Sequence, residues 1–321
     1  MDILHWGVIG CGDIARKRVL PALTSLPNCR VTAVTREQAD KAQTCAEEFA
    51  IPKAYNTLQE LLQDDEIEAV YIATPHYLHA EQTIQAAEAG KHILCEKPMA
   101  MNSEECDAMI KACEEHGVKL GIAYYRHYYP VIHRIKDVLQ QGLLGKPIVV
   151  QINAFEQFNP APDEPRSWLS DPSRSGGGPM NNIGCHRIEI CIDLFGAVKN
   201  VFSRTANILY DLDVEDTATT ILEFSNGPIC TITVTSAASE PQDSLHIFLS
   251  EGSIHVPVLN KGTIIEQSPT DKLTEKYPPP SNVHRPVIED FTRAVLEDRE
   301  PLVTGEIGKA VTQVLDSIYG V

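Results

Sequence analysis

His5-Trp6-Gly7-Val8-Ile9-Gly10-Cys11-Gly12-Asp13-Ile14-Ala15 runs from an apolar segment through G-x-G-x-x-A into a helical pattern. The spacing assigns each small residue a task. Gly10 permits the tight turn out of the strand, Gly12 lets the backbone approach a pyrophosphate, and Ala15 allows the helix to pack closely on the strand. The start of the helix, at Gly12, Asp13 and Ile14, adds unpaired N–H groups and a positive dipole end that favour an anion. The plain alternative is a tight strand-to-helix turn with small residues for packing. Strand, helix and crossover all fall where a dinucleotide-binding βαβ unit places them.

Outward from this turn, short apolar runs alternate with longer helical patterns. Residues 5–9, 30–35, 69–74, 92–95 and 119–123 are rich in Val, Ile or Leu and mostly too short for helices. Between them, residues 14–26, 38–49, 58–63, 79–89 and 103–116 carry helical periodicity. Such alternation implies parallel strands joined by right-handed crossovers, hence a doubly wound α/β sheet of Rossmann type over residues 1–123. After a helix predicted at 130–141, the texture changes. Residues 148–155, 201–210, 217–224, 229–236, 245–250, 253–256 and 263–267 read as strands, many alternating with period two. Turn signals at Ser225-Asn226-Gly227 and Glu251-Gly252 suggest hairpins. Residues 124–321 are therefore expected to form an α+β domain with a large, mostly antiparallel sheet, closed by helices at 287–296 and 305–319 that can pack back on the first domain. The stretch Tyr277-Pro278-Pro279-Pro280 reads as a surface connection.

Composition narrows the function. The 321 residues hold 27 Lys plus Arg against 44 Asp plus Glu, a formal charge of −17. An acidic surplus repels phosphate backbones and anionic lipid, and no basic patch offsets it, so nucleic acid and membrane are excluded as expected partners. A small molecule is favoured. Nine scattered cysteines without a C-x-x-C pair suggest neither a disulfide framework nor a zinc site, and no metal is expected. No apolar run approaches a membrane span. A reducing cytoplasm fits this usage best.

The residue that reads the adenosine ribose sits at the end of the second strand and is commonly Asp or Glu. Here Thr35 and Arg36 stand there. A hydroxyl and a guanidinium suit a 2′-phosphate, because Arg pairs with it bidentately where a carboxylate would repel it. NADP is the expected cofactor. NAD stays open, since Glu37 is adjacent and can take a free ribose if Arg36 points to solvent.

Two further segments close strands of the first domain, where open α/β sheets bind ligands. They are Thr74-Pro75-His76-Tyr77-Leu78-His79 and Cys95-Glu96-Lys97-Pro98. The second domain adds Ser175-Gly176-Gly177-Gly178-Pro179-Met180-Asn181-Asn182-Ile183-Gly184-Cys185-His186. Together with the glycine loop and the Tyr125-Arg126 segment before Pro130, these motifs resemble the glucose-fructose oxidoreductase, inositol dehydrogenase and rhizopine-catabolism family (Gfo/Idh/MocA) over nearly the whole chain.

The resemblance implies hydride transfer between a nicotinamide and a sugar, cyclitol or related polyol, or reduction of a carbonyl. It also implies that the outer face of the second sheet makes oligomer contacts, in a homodimer or homotetramer. Lys97 matches the family's catalytic lysine, whose ammonium can orient the reacting oxygen and stabilise alkoxide charge. His186 matches the acid/base position, where imidazole suits proton transfer near neutral pH. Pro98 looks like the family's proline after the lysine, where a cis bond fixes the lysine's direction. Thr74, Pro75, His79, Glu96, Lys97 and Trp168 fall at cofactor positions, with His79 a helix-start residue rather than a catalyst. Tyr125 and Arg126 are candidate sugar contacts beside Lys97, Asn182 and His186; for Tyr125 and Arg126 a core or surface role is equally open. The glycine triplet reads either as a flexible loop or as room for substrate.

Two departures matter. The family's D-x-G-x-H reads Asn182-Ile183-Gly184-Cys185-His186, so an amide replaces the carboxylate. Asn182 can hydrogen-bond a hydroxyl but cannot accept a proton, which leaves proton transfer to His186. Glu189 stands where a compensating acid is often found. Trp168-Leu169 replaces the Trp-Arg of many relatives. Loss of the Asp keeps open a redox-neutral elimination or epimerisation with tightly held cofactor. A cofactor-sensing regulator without catalysis is a further alternative, opposed by the presence of both Lys97 and His186.

Overall fold

The computed structural model describes residues 2–225 and 227–321. The chain divides into two compact units, Met1–Tyr125 with Ser281–Lys309, and Arg126–Pro280 with Ala310–Val321.

In the first unit six strands, β1 (Leu4–Ile9), β2 (Cys29–Thr35), β3 (Lys53–Tyr55), β4 (Ala69–Ile72), β5 (His92–Cys95) and β6 (Leu120–Ile122), form one sheet in the order β3-β2-β1-β4-β5-β6. Every pairing is parallel. Helices bury both faces, which is why β1 and β4 are almost wholly buried apolar runs without alternation. The strand order reverses between β1 and β4, so the ligand crevice of this architecture opens at their carboxyl ends. Caps fix where the helices begin. Thr57 and Glu60 form a reciprocal capping box on Leu58–Leu62, and Asn102 accepts the Glu105 N–H at 2.9 Å at the head of Ser103–Glu115. The helix Arg285–Leu296 completes this unit: Phe291 packs on Trp6 with ring centroids 5.7 Å apart.

The second unit is built on an eight-stranded sheet, β14-β13-β12-β11-β7-β10-β9-β8. Its strands are β7 (Pro147–Gln157), β8 (Val198–Ala206), β9 (Thr217–Phe224), β10 (Ile229–Thr235), β11 (Ala237–Leu249), β12 (Gly252–Val256), β13 (Thr263–Gln267) and β14 (Lys272–Lys276). Only β7 and β10 pair in parallel. Alternation assigns the faces. Cys230, Ile232 and Val234 are buried towards the helix Cys185–Phe195, whereas Thr231, Thr233 and Thr235 face outward. Two of these threonines pair with Thr219 and Thr217 across the strands, at 3.3 and 2.9 Å.

The expected α/β sheet followed by a mostly antiparallel one is the observed architecture. Several elements differ in detail. The segment expected as a strand over 201–210 leaves the sheet at Ala206, because the Asp216 carboxylate captures the N–H groups of Ile208, Leu209 and Tyr210 at 2.7–3.0 Å. The helix expected over 14–26 opens with a π-helical turn, Ala15–Val19, before the α-helical Leu20–Ser25. Strands β3 and β14 and the helix Cys185–Phe195 were not expected. β3 has three residues and β14 is a polar edge, so neither carries an apolar run. Asn226, in the expected Ser225-Asn226-Gly227 turn, lies outside the described residues, although β9 and β10 pair as that hairpin requires.

Candidate active site

In the first unit, the site residues gather at the carboxyl ends of β1, β2, β4 and β5. Gly10 has φ +86°, and a Cβ there would meet Thr74 Cγ2 at 2.7 Å and the Ala73 carbonyl at 3.0 Å. The loop leaving β1 is thus pressed against the end of β4, and only glycine fits. Gly12 is different: the nearest atom to its Cβ would be the Gly10 carbonyl oxygen at 4.0 Å. No neighbour among the described residues requires glycine at 12, and the space beside it is open enough for a phosphate to lie against the loop backbone. The Thr35 carbonyl accepts the Gly10 and Cys11 N–H groups at 2.9 and 3.3 Å, tying the loop to β2. Arg36 folds back over it, with Nη1 3.4 Å from the Cys11 carbonyl, while Glu37 is exposed. Asp13 and Ile14 are exposed at the head of the helix, and Asp13 pairs with Lys17 at 2.8 Å. These residues fit a dinucleotide: an open loop backbone, a helix start and a cation beside the ribose position.

The Lys97-Pro98 peptide is cis, and Lys97 is half-buried at the end of β5. Its neighbours are fixed from both sides. Glu96 is buried, and its carboxylate accepts the Tyr71 hydroxyl at 2.8 Å, His284 Nε2 at 3.1 Å and the Lys97 N–H at 3.2 Å. Burial alone pushes this carboxyl up, but His284, the Lys97 charge and the Tyr71 hydroxyl hold it down to about 2. His79 is fully buried, its ring nitrogens 2.9 and 3.0 Å from the carbonyl oxygens of Pro98 and Thr74. One nitrogen donates in a neutral tautomer, and both would donate only on protonation, which burial opposes by lowering its pKa. His79 therefore joins the ends of β4 and β5. Thr74 turns its hydroxyl to Gln82 at 2.7 Å, and Pro75 follows it. Tyr125 is half-buried, with its ring 4.9 Å from that of His284.

In the second unit, the stretch carrying Asn182 and His186 is held by partners far away in sequence. The Glu215 carboxylate accepts the N–H groups of Gly178 and Met180 at 2.8 and 3.1 Å and the Tyr319 hydroxyl at 2.8 Å. Burial raises its pKa, partly offset by those donors. Tyr319 also accepts the Asn181 N–H at 3.1 Å. A Cβ at Gly177 would run into the Tyr319 ring, and one at Gly178 into Glu215. These two glycines make room for Tyr319 and Glu215, a packing reason that neither a flexible loop nor room for substrate supplies. The π-helical turn Met180–Gly184 then runs into the helix Cys185–Phe195. Asn182 is half-buried beside a small cleft with Phe158, Leu169 and Pro179; His186 is buried, and Trp168 is half-buried on the turn Ser167–Ser170.

Arg126 is buried and braces the fold. Its Nη1 lies 3.3 Å from Asn260 Oδ1 and 3.6 Å from Asp243, and Asp243 also pairs with Arg187. Glu189, His127 and Asp193 are the single grouping among the described residues with metal-ligand geometry. His127 Nδ1 lies 2.8 Å from Glu189 and 3.6 Å from Asp193, and Lys136 lies 2.6 Å from Asp193. Burial opposes a charged His127, yet Glu189 and Asp193 raise its pKa, while burial raises that of Glu189 in turn. Sequence reading missed Tyr71, His284, Glu215, Tyr319 and His127. Cys11 and Cys185 are buried, as small core residues are.

Comparison with known proteins identifies the family. Residues 4–124 match the model of the GFO_IDH_MocA oxidoreductase family with NAD-binding Rossmann fold, and residues 132–255 match the GFO/IDH/MocA C-terminal domain. A trans-1,2-dihydrobenzene-1,2-diol dehydrogenase of Danio rerio is 31% identical over 79% of this chain and 74% of its own. A D-xylose 1-dehydrogenase (NADP(+)) of Haloferax volcanii is 29% identical over 98% and 96% of the two chains. Among solved structures, aldose-aldose oxidoreductase from Caulobacter crescentus, complexed with glycerol, shares the fold with a TM-score of 0.90 at 24% identity over 99% and 97% of the chains. No helix among the described residues is long and apolar enough to cross a membrane. The chain belongs to the Gfo/Idh/MocA family and is an NAD(P)-dependent oxidoreductase.

Proposed function

We propose that this enzyme prefers NADP and transfers hydride between the nicotinamide and a carbon of a sugar, keto-sugar or cyclitol. The observation that carries the reading is the convergence, in one unit, of the open Gly12 backbone, Arg36 folded over the glycine loop, and Lys97 held between two pinned neighbours. Asp13 and Ile14, at the head of the helix, take the pyrophosphate through backbone N–H groups and the helix dipole, while Gly10 and Gly12, whose N–H groups are held by the Thr35 and Gly10 carbonyls, let the loop lie close against it. Thr35 and Arg36 take the 2′-phosphate, with Arg36 exchanging the weak carbonyl contact for a charged one. Thr74, Pro75, His79 and Trp168 border the cofactor. When bound, the nicotinamide supplies the hydride acceptor or donor.

The chain's own groups handle the oxygen and the proton. The Lys97 ammonium steadies the oxygen as its charge changes. His186 takes or returns the hydroxyl proton. Asn182 positions a hydroxyl, and Tyr125 offers an aromatic face to the sugar. Arg126, buried on Asn260 and Asp243, shapes the wall rather than touching substrate. The sugar class rests on relatives such as the D-xylose dehydrogenase, whose name also specifies NADP(+). Homo-oligomers form through the outer face of the second sheet, where Phe202, Ile221, Ile229 and Phe248 are exposed and the strand register puts Phe202 opposite Ile221.

The test is a panel of aldoses, keto-sugars and cyclitols with NADP and NAD in parallel, read by nicotinamide absorbance. Accumulating reduced or oxidised cofactor with at least one member, faster with NADP, is the expected result. Product formed without net absorbance change would replace this reading by redox-neutral chemistry. A clear NAD preference would remove the role given to Arg36.

A further inference from the structure

We infer that His284, with Tyr71, is a positioning residue for Lys97, acting through the buried Glu96 carboxylate. The inference rests on the assignment of Lys97 to the reacting oxygen. The chain of contacts is continuous. His284 Nε2 and the Tyr71 hydroxyl both reach Glu96 Oε1, at 3.1 and 2.8 Å, and Glu96 Oε2 accepts the Lys97 backbone N–H at 3.2 Å. The carboxylate is thereby committed inward, to the lysine's own backbone, rather than to a ligand in the crevice. On the other side of Lys97, His79 reaches the Pro98 carbonyl at 2.9 Å. The two residues flanking the lysine are fixed from opposite directions, so the backbone that aims its side chain has little freedom.

Two observations argue that His284 is more than core filling. It is 1% exposed, and its Nδ1 is buried with no hydrogen-bond partner among the described residues. An apolar side chain would avoid that cost, so the ring is retained for what its Nε2 does. Its backbone is also anchored to the nucleotide side of the unit. The His284 N–H donates to Asn282 Oδ1 at 3.0 Å, and Asn282 Nδ2 donates to the Arg18 carbonyl at 2.8 Å, on the turn of helix that follows the glycine loop. One short segment therefore touches both the cofactor loop's helix and the support of Lys97.

The experiment reads Lys97 directly. Purified protein without added cofactor is pulsed with acetic anhydride, and acetylation of Lys97 is measured by peptide mass spectrometry relative to Lys111, which is exposed on the helix Ser103–Glu115. His284→Ala is expected to raise the Lys97 rate by about threefold or more, because the turn opens locally. His284→Gln, which keeps a donor, is expected to stay within about 1.5-fold of the parent, and Tyr71→Phe to give about a twofold rise. Tyr71→Phe removes only a hydroxyl and decides the question if the alanine variant does not fold. In turnover, kcat falls in His284→Ala while the NADPH dissociation constant stays put. Unchanged labelling in folded His284→Ala, or equal increases in the alanine and glutamine variants, would overturn the inference. If the parent oxidises no member of the panel, the proposed function fails, while labelling still decides the positioning.

Discussion

Gly10 and Gly12 give the sharpest contrast between a residue the fold needs and one that, on the proposed function, the cofactor needs. Gly10→Ala places a methyl 2.7 Å from Thr74 Cγ2 and 3.0 Å from the Ala73 carbonyl, at φ +86°. The left-handed backbone costs alanine about 1–2 kcal/mol, and relieving the overlap against backbone adds about 1–3 kcal/mol. The expected loss of unfolding free energy is therefore about 2–5 kcal/mol in urea denaturation. Gly12→Ala meets nothing nearer than 4.0 Å and lies outside the left-handed region. Its stability should change by less than about 1 kcal/mol, and a gain is expected because alanine narrows the unfolded ensemble. Cofactor affinity should behave in the opposite way. The methyl at 12 occupies the space where the loop backbone meets phosphate, so the NADPH dissociation constant in a fluorescence titration should rise about tenfold or more, equivalent to at least ~1.4 kcal/mol. If Gly12→Ala binds NADPH like the parent, or destabilises as Gly10→Ala does, the assignment of the loop is wrong.

Other consequences are equally concrete. Arg36→Ala should weaken NADP binding by about 10- to 100-fold, from loss of a charge-assisted pair, while NAD binding changes by less than about threefold; equal losses for both would show that Arg36 merely supports the loop. Glu96 has a folded-state pKa depressed to about 2, so its contribution of about 3 kcal/mol is fully present above the ordinary carboxylate range near pH 4.5 and is lost as pH falls towards 2. Urea unfolding across that window should show a shallower acid slope for Glu96→Gln than for the parent, and identical slopes would contradict the buried network. Glu215→Gln keeps one acceptor and turns an NH2 towards a donor, where the carboxylate accepts three. A cost of about 1–3 kcal/mol is expected, with hydrogen exchange at residues 178–182 faster by about tenfold; exchange unchanged at those amides would show that the loop is held by other means.

What the sequence made legible follows from distance along the chain. The glycine loop, its strand and its helix are contiguous, so periodicity and spacing were enough to place Gly10, Gly12 and Arg36. The hairpins of the second sheet were legible for the same reason: β9 alternates along its whole length, and the expected bounds of β9 and β13 are the observed ones. Asp216 illustrates the limit. It ends β8 by capturing three backbone N–H groups, and nothing in residues 201–210 announces that competition.

The supports of the site were hidden more deeply. His284 is 188 residues from Glu96, Tyr319 is 138 from Asn181, and Glu215 is 37 from Gly178. No local pattern joins such pairs, and each looks like an ordinary polar residue in its own neighbourhood. The triplet Gly176-Gly177-Gly178 was visible as glycine, but its reason was not: two of its members give way to Tyr319 and Glu215. Arg126 was legible as a functional type, whereas its burial against Asn260 and Asp243 was not.

The central claim is that Lys97 serves the chemical step and not cofactor binding. It is tested most directly by Lys97→Ala, comparing the initial rate of NADP reduction on the best panel substrate with the NADPH dissociation constant of the same preparation. An ammonium facing developing charge is worth roughly 3 kcal/mol or more, so turnover should fall by about a hundredfold or more while NADPH affinity stays within about threefold. A loss of affinity as large as the loss of rate, or turnover that survives the substitution, would contradict the account.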